Sequence, residues 1–579
     1  MSKQSITVAL FAAIILMAAS FTIAQTTQKK TEQKGAGQKK TEDVEDEAQI
    51  QKSVLLSNLS ALDGDAVNLN SPLARAVVKT EIADVAWNLD KQWARQLLKD
   101  AFELALPNKE TRRKLQKVKK GDNPVEPTIE TISQNEVRSK VLAIARRDPA
   151  FAGELAQIAK EEMGEHAEGQ AYGSAASAAF QADDIKQAEE YGRKIFEADP
   201  SQISAGGVIA LMAVKDRGEA DKLLLEYIQK LRNFPIDSSN ARRIFSSLRF
   251  AVSPPPLTSL SQGRKIPIAG KEAMGAYYGF LIESLLGMES REPGASMKFR
   301  REIVDMWPFV SHQAPELTDS YLKLEAISRM PGEPDSLPTS NLPTSNLEEI
   351  NKARYETVVR NAQTNKSKDE IVDAIKMALG RQDYETCREL IDKLSSSDLR
   401  SAYSEDVNRR EAISLLDKND IDGAAQIASK LNNVPSLMQV YPQMIKFCVD
   451  KKDPHCINSL TYELTRKLEK KSESSKAALI LSRVAATVAA KDEAIAMDLL
   501  RQSISSANAS DVKRTSENAH IVEFDNKAFE LLALNNEGLM FQMAKSLDDR
   551  LYRYLALAAI YRAKSSPLQK KMTTKREGN

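Results

Sequence analysis

The sequence predicts an all-α protein, an α-α superhelix in which helical hairpins stack as a solenoid with a period of about 32–44 residues. Two observations carry this prediction. Aromatic residues make up 6% of the chain and charged residues 28%, while alanine, leucine, lysine and glutamate are abundant, which favours helices over sheets. Aspartates also recur at roughly hairpin intervals, each between two segments with helical apolar spacing.

Residues 382–394 and 419–431 show the repeated unit most clearly. Aligned on their aspartates, both carry a small residue four positions later, apolar or small residues at seven and eight, and leucine at eleven. This spacing places one apolar face along a helix. The aspartate oxygen accepts from an unpaired backbone N–H of the first helical turn, which stabilises the helix by about 1 kcal/mol. The pattern predicts helix caps at Asp90, Asp148, Asp184, Asp216, Asp383, Asp420, Asp453 and Asp492, with a looser copy at Asn536.

One hairpin cannot bury its apolar face alone, whereas stacked hairpins bury a continuous core. Within residues 172–200, the stretch 178–200 resembles a tetratricopeptide repeat, with Ala176 in the first helix, Ala188 at the helix crossing and Pro200 near the end of the second helix. Residues 371–431 carry the same turn. The resemblance implies a tetratricopeptide-like solenoid with degenerate units. The spacing drifts and the aromatic pattern of the first helix is missing, so other helical-hairpin families stay open.

Composition along the chain sets the predicted domain boundaries. Lys3, an apolar run, and small residues at Thr22 and Ala24 are typical of a secretory signal peptide, with an uncleaved membrane anchor as the alternative. The predicted domains are a signal peptide (1–24), a disordered polar tether (25–47), an N-terminal helical-repeat block (48–330), a Pro/Ser-rich linker (331–347), a C-terminal helical-repeat block (348–566) and a basic disordered tail (567–579).

The chain has three cysteines, Cys387, Cys448 and Cys456. A disulfide between Cys448 and Cys456 would close a short loop and stabilise the fold by about 2–3 kcal/mol, and export would permit it. The favoured interpretation is nevertheless two free thiols that pack as small apolar groups. Cys387 is left over in either case.

The sequence predicts no catalytic, cofactor-binding or metal-binding residues. It carries neither a phosphate loop of the usual spacing nor a Gly-x-Ser-x-Gly elbow, and its four histidines are scattered. Glu162 and His166 are expected to share one solvated helix face, and His455 beside Cys456 lacks a full ligand set. The formal net charge of +1 gives no general attraction to nucleic acid.

A basic run at residues 108–124 is the one candidate patch for an anionic partner. The favoured interpretation is that its cations complement the C-terminal dipole of a helix, and binding to a glycan or a lipid headgroup is the alternative. The residues concerned are Arg112, Arg113, Lys114, Lys117, Lys119 and Lys120.

Together these features favour an exported, non-catalytic helical-repeat scaffold that mediates protein–protein interactions in the cell envelope, either periplasmic or extracellular. The expected partner is a protein or peptide. Nucleic acid is not expected, and a membrane would be contacted only through an uncleaved N-terminal segment. Two alternatives stay open: a glycan- or envelope-binding module, and a helical-toroid glycan-active enzyme, which would need two facing carboxylates.

Overall fold

The computed structural model describes residues 39–116, 129–253, 267–328, 347–364, 367–469, 474–509 and 524–576. Within these ranges the protein is all-helical, as the sequence predicts, with two short 3-10 turns and no β-strand. Contacts divide the chain into two units, Met1–Leu55 and Leu56–Asn579. Helix α1 (Lys39–Ala66) begins in the first unit and ends in the second. None of the described helices combines the length and apolarity needed to cross a lipid bilayer.

The helices before the predicted linker follow one another with short connections. They are α2 (Pro72–Ala86), α3 (Lys91–Leu104), α4 (Lys109–Gln116), α5 (Ile129–Ala145), α6 (Pro149–Met163), α7 (Glu165–Gln181), α8 (Ile185–Ala198), α9 (Ile203–Lys215), α10 (Arg217–Arg232), α11 (Ala241–Val252), α12 (Lys271–Arg291), α13 (Arg300–Gln313) and α14 (Thr318–Ser328).

The helices after the predicted linker repeat the same alternation of helix and tight turn. They are α15 (Leu347–Thr364), α16 (Lys368–Gly380), α17 (Tyr384–Asp392), α18 (Ser397–Asp417), α19 (Ile421–Ala428), α20 (Val434–Lys451), α21 (Pro454–Glu469), α22 (Ser474–Val488), α23 (Glu493–Asn508), α24 (Lys527–Lys545) and α25 (Arg550–Arg576).

Neighbouring helices of the second unit pack as hairpins. The pairs include α2–α3, α5–α6, α7–α8 and α9–α10, and later α16–α17, α18–α19, α20–α21 and α22–α23. The first helices of successive hairpins also pack on one another, in the orders α5–α7–α9–α11 and α18–α20–α22–α24. Each hairpin therefore completes the core of its neighbour, which is the defining property of a helical-repeat solenoid.

The eight predicted capping aspartates lie at the turns of these hairpins. Each accepts a hydrogen bond at 2.9–3.3 Å from the backbone N–H three residues later. Asn536 behaves differently, because α24 is kinked there and the Asn536 amide donates to Glu493 instead. The predicted looser copy of the cap at Asn536 is therefore an internal kink.

Four of the turns share a backbone detail that the sequence pattern does not reveal. Asp183, Gln382, Asn419 and Lys452 have φ between 58° and 64°, and each directly precedes a capping aspartate. The aspartate N–H bonds the carbonyl five residues earlier at 2.9–3.0 Å, so the first helix ends in a Schellman motif. One two-residue unit thus ends one helix and caps the next.

Cys448 and Cys456 form a disulfide, so the favoured expectation of two free thiols is wrong. The reason is the same turn. Cys448 lies in the last turn of α20 and Cys456 in the first turn of α21, and the left-handed Lys452 brings their Cα atoms to 5.8 Å. Cys387 is buried and unpaired, and burial raises the pKa of its thiol to about 11.

Two predicted boundaries differ from the observed helices. Helix α1 already begins at Lys39, inside the predicted tether 25–47, because lysine, glutamate and aspartate there can continue the helix. Helix α25 runs to Arg576, into the predicted tail 567–579. Residues 1–38, with the predicted signal peptide, and 329–346, with most of the predicted linker, lie outside the described residues, so those predictions stay predictions.

The second unit also contains a contact between helices that are far apart in sequence. Helix α25 packs against α2. Arg562 of α25 pairs with Glu81 and Asp84 of α2 at 2.6 and 3.0 Å. The two predicted helical blocks therefore meet directly through the helix near the start of one and the helix at the end of the other.

Candidate binding site

A groove with a volume of about 600 Å³ runs across the first helices of three consecutive hairpins, α5, α7 and α9. We call it the serine groove. It is defined by the lining residues Ser139, Ser174, Ser177, Ser204, Gln170 and Gln202, and its lining extends to Phe102 on α3 and Arg243 on α11. Because α3, α5, α7, α9 and α11 pack in that order, the groove crosses several repeat units.

Small residues on α7 create the space for the groove. Its sequence, EHAEGQAYGSAASAAFQ, is rich in alanine, serine and glycine. At Gly173 a Cβ atom would lie 2.7 Å from Cβ of Ser204, closer than real Cβ contacts allow. Glycine at this position therefore lets α7 and α9 approach each other, and their short side chains leave the surface above them open.

Hydroxyl and amide groups lie among the mainly apolar lining of the groove. The Ser139 and Ser174 hydroxyls lie 3.0 Å apart across α5 and α7. The Ser204 Oγ atom is buried and has no hydrogen-bond partner within the described part of the chain. A buried hydroxyl without a partner costs about 1–3 kcal/mol, and it can both donate and accept. This hydroxyl is enclosed between α7 and α9, where it faces Gly173.

A buried hydrogen-bond network supports one side of the groove. His166 Nδ1 lies 3.3 Å from Asp199 Oδ2, to which Gln202 Nε2 also donates at 3.1 Å. The Ser201 hydroxyl donates to Asp199 Oδ1 at 2.6 Å, and Arg243 Nη2 donates to that hydroxyl at 2.9 Å. Burial alone would raise the pKa of Asp199, but hydrogen bonds from His166 and Ser201 hold it below its ordinary value. Asp199 therefore acts as an ionised anchor.

The predicted solvated face shared by Glu162 and His166 does not form. Helix α6 ends at Met163, and Gly164, with φ of +91°, redirects the chain before α7 begins. The two side chains therefore lie on different helices. The His166 side chain is only 15% exposed because it faces Asp199.

Arg138 is the most buried charge in the groove, with 7% of its surface exposed. Its guanidinium donates to the Ala105 carbonyl and to Asn135 Oδ1. Burial lowers the pKa of Arg138 to about 10. The Ala105 carbonyl lies at the C-terminal cap of α3, whose dipole offsets part of the charge. Neither aspartate nor glutamate occurs among the described lining residues, whose permanently charged side chains are Arg138 and Arg243.

A second cavity, of about 530 Å³, lies at the α2–α25 contact and is lined by charges of both signs. Arg147 pairs with Asp84 at 2.6 Å, and Glu81 contacts both Lys140 and Arg562. Burial raises the pKa of Glu81, but the two cations outweigh it and hold the pKa at about 2. A glycosidase acid needs a raised pKa, so Glu81 is suited to holding helices together rather than to donating a proton.

Only part of the predicted basic patch is described. Arg112 pairs with Glu162, and Lys114 pairs with Glu110 at 2.8 Å. Arg113 is exposed on α4. Lys117, Lys119 and Lys120 lie outside the described residues, so anion binding by this patch stays a prediction. Groups of three or more histidine, cysteine, aspartate or glutamate side chains that could hold a metal ion do not occur in the described ranges.

The serine groove was not identified from sequence. The segment containing Ser174 and Ser177 reads as an apolar-rich first helix, which predicts packing against neighbouring hairpins. The available signal was the run of serines, alanines and glycines on two successive first helices, because such faces leave room for a ligand. Arg138 gave no local signal, since its burial depends on how α3 and α5 pack.

Comparisons with known proteins do not assign the chain to a family. No protein-family model matches it, and no curated protein is similar to it in sequence. Two chains of solved structures match. One is described as "Circular tandem repeat protein with novel repeat topology and enhanced subunit contact surfaces"; it is 14% identical, the match covers 88% of this chain and 99% of that chain, and the TM-score is 0.14. A TM-score this low carries no argument. The order of the helices and the packing of successive hairpins show the fold class. The chain is a helical-repeat protein.

Proposed function

We propose that the protein is a non-catalytic scaffold that binds an extended segment of a partner protein in the serine groove. The observation that carries the proposal is a groove of about 600 Å³ across three consecutive hairpins, with hydroxyl and amide groups on its floor. Its volume lies within the range of roughly 300–1,000 Å³ typical of ligand sites.

The groups on the floor suit a peptide backbone. An extended chain presents alternating carbonyl acceptors and N–H donors, and its main-chain polar groups must be paired when they are buried. Serine hydroxyls and glutamine amides supply both donors and acceptors. Ser139, Ser174 and Gln170 line the groove and can supply such partners.

The repeat family and the cellular location of the protein are also part of the proposal. The hairpins at 172–200 and 371–431 support a tetratricopeptide-like repeat. The N-terminal residues 1–24 support export, and with it a partner in the cell envelope. A glycan-active enzyme gains no support from the groove, since its described lining offers no carboxylate.

Site-specific photo-crosslinking in the native cell tests the proposal. A photoreactive residue replaces Ser177 in the groove, and a matched protein carries it at Ser505, an exposed serine on α23. We expect position 177 to form adducts with one stretch of a partner protein, mapped by mass spectrometry. We expect position 505 not to form them.

A second variant distinguishes the groove from its surroundings. Gln170→Trp, at an exposed lining residue of α7, would fill the groove and should abolish the adduct from position 177, while circular dichroism shows an unchanged helix content. The proposal is wrong if position 177 yields the same adducts as position 505, if it yields no protein adduct, or if the adduct survives the filling substitution.

A further inference from the structure

Within the described part of the protein, Arg138 lacks the carboxylate partner that Arg300 and Arg562 have. Arg300, with a side chain 12% exposed, pairs with Glu325 at 2.9 Å, and Arg562 pairs with Glu81 at 2.6 Å. Arg138 is at least as buried, but its hydrogen bonds go to a backbone carbonyl and to the uncharged Asn135. Its positive charge is therefore the least compensated of the three.

A buried charge without an opposite charge is costly, because it loses its hydration and gains only dipoles in return. The dipole at the C-terminus of α3 offsets a part of that cost. A guanidinium has five N–H donors in a planar fork that matches a carboxylate. A carboxylate entering the groove would supply the opposite charge that Arg138 lacks in the described part of the protein.

The same groove also offers partners for a peptide main chain. The Ser139 and Ser174 hydroxyls lie 3.0 Å apart, and both residues line the groove. A site that combines these hydroxyls with a cation that has no carboxylate partner in the described part of the protein suits a chain with carboxylate and main-chain polar groups.

We propose that the segment bound in the serine groove carries an aspartate or glutamate side chain whose carboxylate pairs with Arg138. This inference rests on the proposed function and specifies its ligand. Because the lining extends from Phe102 on α3, past Arg138 on α5, to Arg243 on α11, a bound chain can continue on both sides of Arg138. The carboxylate therefore belongs to an internal side chain of the segment rather than to a chain terminus.

The test uses the full chain and a library of ten-residue peptides that are acetylated and amidated at their ends. At each position the library compares glutamate with glutamine, and a second arm replaces the C-terminal amide by a free carboxylate. We expect one position at which glutamate binds ~10-fold or more tightly than glutamine, as expected for a charge-assisted hydrogen bond.

Three variants assign that preference to Arg138. Arg138→Gln should reduce the preference for glutamate over glutamine to about one-fold, because the cation is gone. Arg138→Lys should keep part of it, since a single charge remains without the fork. Arg360→Gln, at an exposed arginine on α15, is the matched control and should leave the preference unchanged.

The wild-type protein provides a readout that does not depend on how the variants fold. Its preference for glutamate should disappear as the pH falls below about 4.3, where the peptide carboxylate becomes protonated. A loss of helix packing would weaken both peptides, whereas loss of the ion pair weakens only the glutamate peptide.

The outcomes separate this inference from the proposed function. If blocked peptides bind without a glutamate preference, or if the preference survives Arg138→Gln, the inference is overturned and the scaffold proposal stands. A preference seen only in the free-carboxylate arm overturns it in favour of a chain terminus. If no peptide binds at all, the proposed function is wrong and the inference fails with it.

Discussion

Replacing Glu81 by glutamine should weaken the contact between α2 and α25. Glu81 is buried, with a side chain 9% exposed, and it pairs with Arg562 at 2.6 Å and with Lys140. The substitution keeps the shape but removes the negative charge. Arg562 would then rely on Asp84 at 3.0 Å and on Glu530 at 3.6 Å.

Two estimates give the loss of stability expected for Glu81→Gln. The pKa of Glu81 falls from 4.5 to about 2, and at 1.36 kcal/mol per pKa unit this corresponds to roughly 3 kcal/mol in favour of the charged form. Removing one partner of a buried pair typically costs about 3–5 kcal/mol. Because Arg562 keeps two carboxylates and Lys140 is 55% exposed, we expect about 2–3 kcal/mol.

Hydrogen–deuterium exchange is the suitable assay, since a chain of 579 residues need not unfold in one step. At pH 7, amides of α2 and α25 should exchange roughly 30- to 150-fold faster in Glu81→Gln than in the wild type. Glu356→Gln, at an exposed glutamate on α15, is the control and should change nothing.

The pH dependence has a definite sign. The folded-state pKa of Glu81 is depressed, so its contribution is present above the unfolded pKa of about 4.5 and is lost as the pH falls towards 2. The ratio of exchange rates between variant and wild type should therefore approach one across this range. Equal exchange at pH 7, or a ratio that stays constant down to pH 2, would refute the assigned role of Glu81.

Three further predictions concern the hairpin turns. Gln382→Gly should slow exchange in α16 and α17 by stabilising the turn by about 0.5–1 kcal/mol, because glycine adopts the positive φ without strain. Asp492→Ala should destabilise α23 by about 1 kcal/mol through loss of its cap, seen as faster exchange in that helix. Reducing the Cys448–Cys456 disulfide should destabilise α20 and α21 by about 2–3 kcal/mol, measured by thermal unfolding with and without reductant.

Matched substitutions accompany these predictions. Asn419→Gly should stabilise less than Gln382→Gly, because asparagine tolerates positive φ better than glutamine does. Asp498→Ala, at an exposed position later in α23, should have a smaller effect than Asp492→Ala. Equal effects within either pair would contradict the assigned turn geometry. The disulfide prediction fails if reductant leaves the unfolding temperature unchanged.

The helices and their caps could be predicted because their causes are local. Apolar spacing of four, seven and eight defines a face within one helix, and an aspartate at the cap bonds an N–H only three residues away, as Asp383 does with Thr386. The left-handed residues before the caps could not be found the same way. Asp183, Gln382 and Lys452 have an acidic, an amide and a basic side chain, so residue type does not mark the position. Their φ values are set by the two helices that the turn joins.

The disulfide shows where local reasoning stopped short. The spacing of Cys448 and Cys456 was visible, but their distance depended on a turn conformation that composition does not encode. Helix ends were similarly underestimated at Lys39 and Arg576, because polar composition alone does not separate a charged helix from a coil.

By itself, then, the sequence determined the all-helical hairpin architecture and the positions of its eight aspartate caps. Only the tertiary structure determined where the serine groove forms and which helices bring Arg562 to Glu81. It also determined that Arg138 is buried against uncharged hydrogen-bond partners. The physical reason is distance along the chain. Burial, charge compensation and open space depend on which helices stack together, and α2 and α25 are joined by contacts between residues at opposite ends of the second unit.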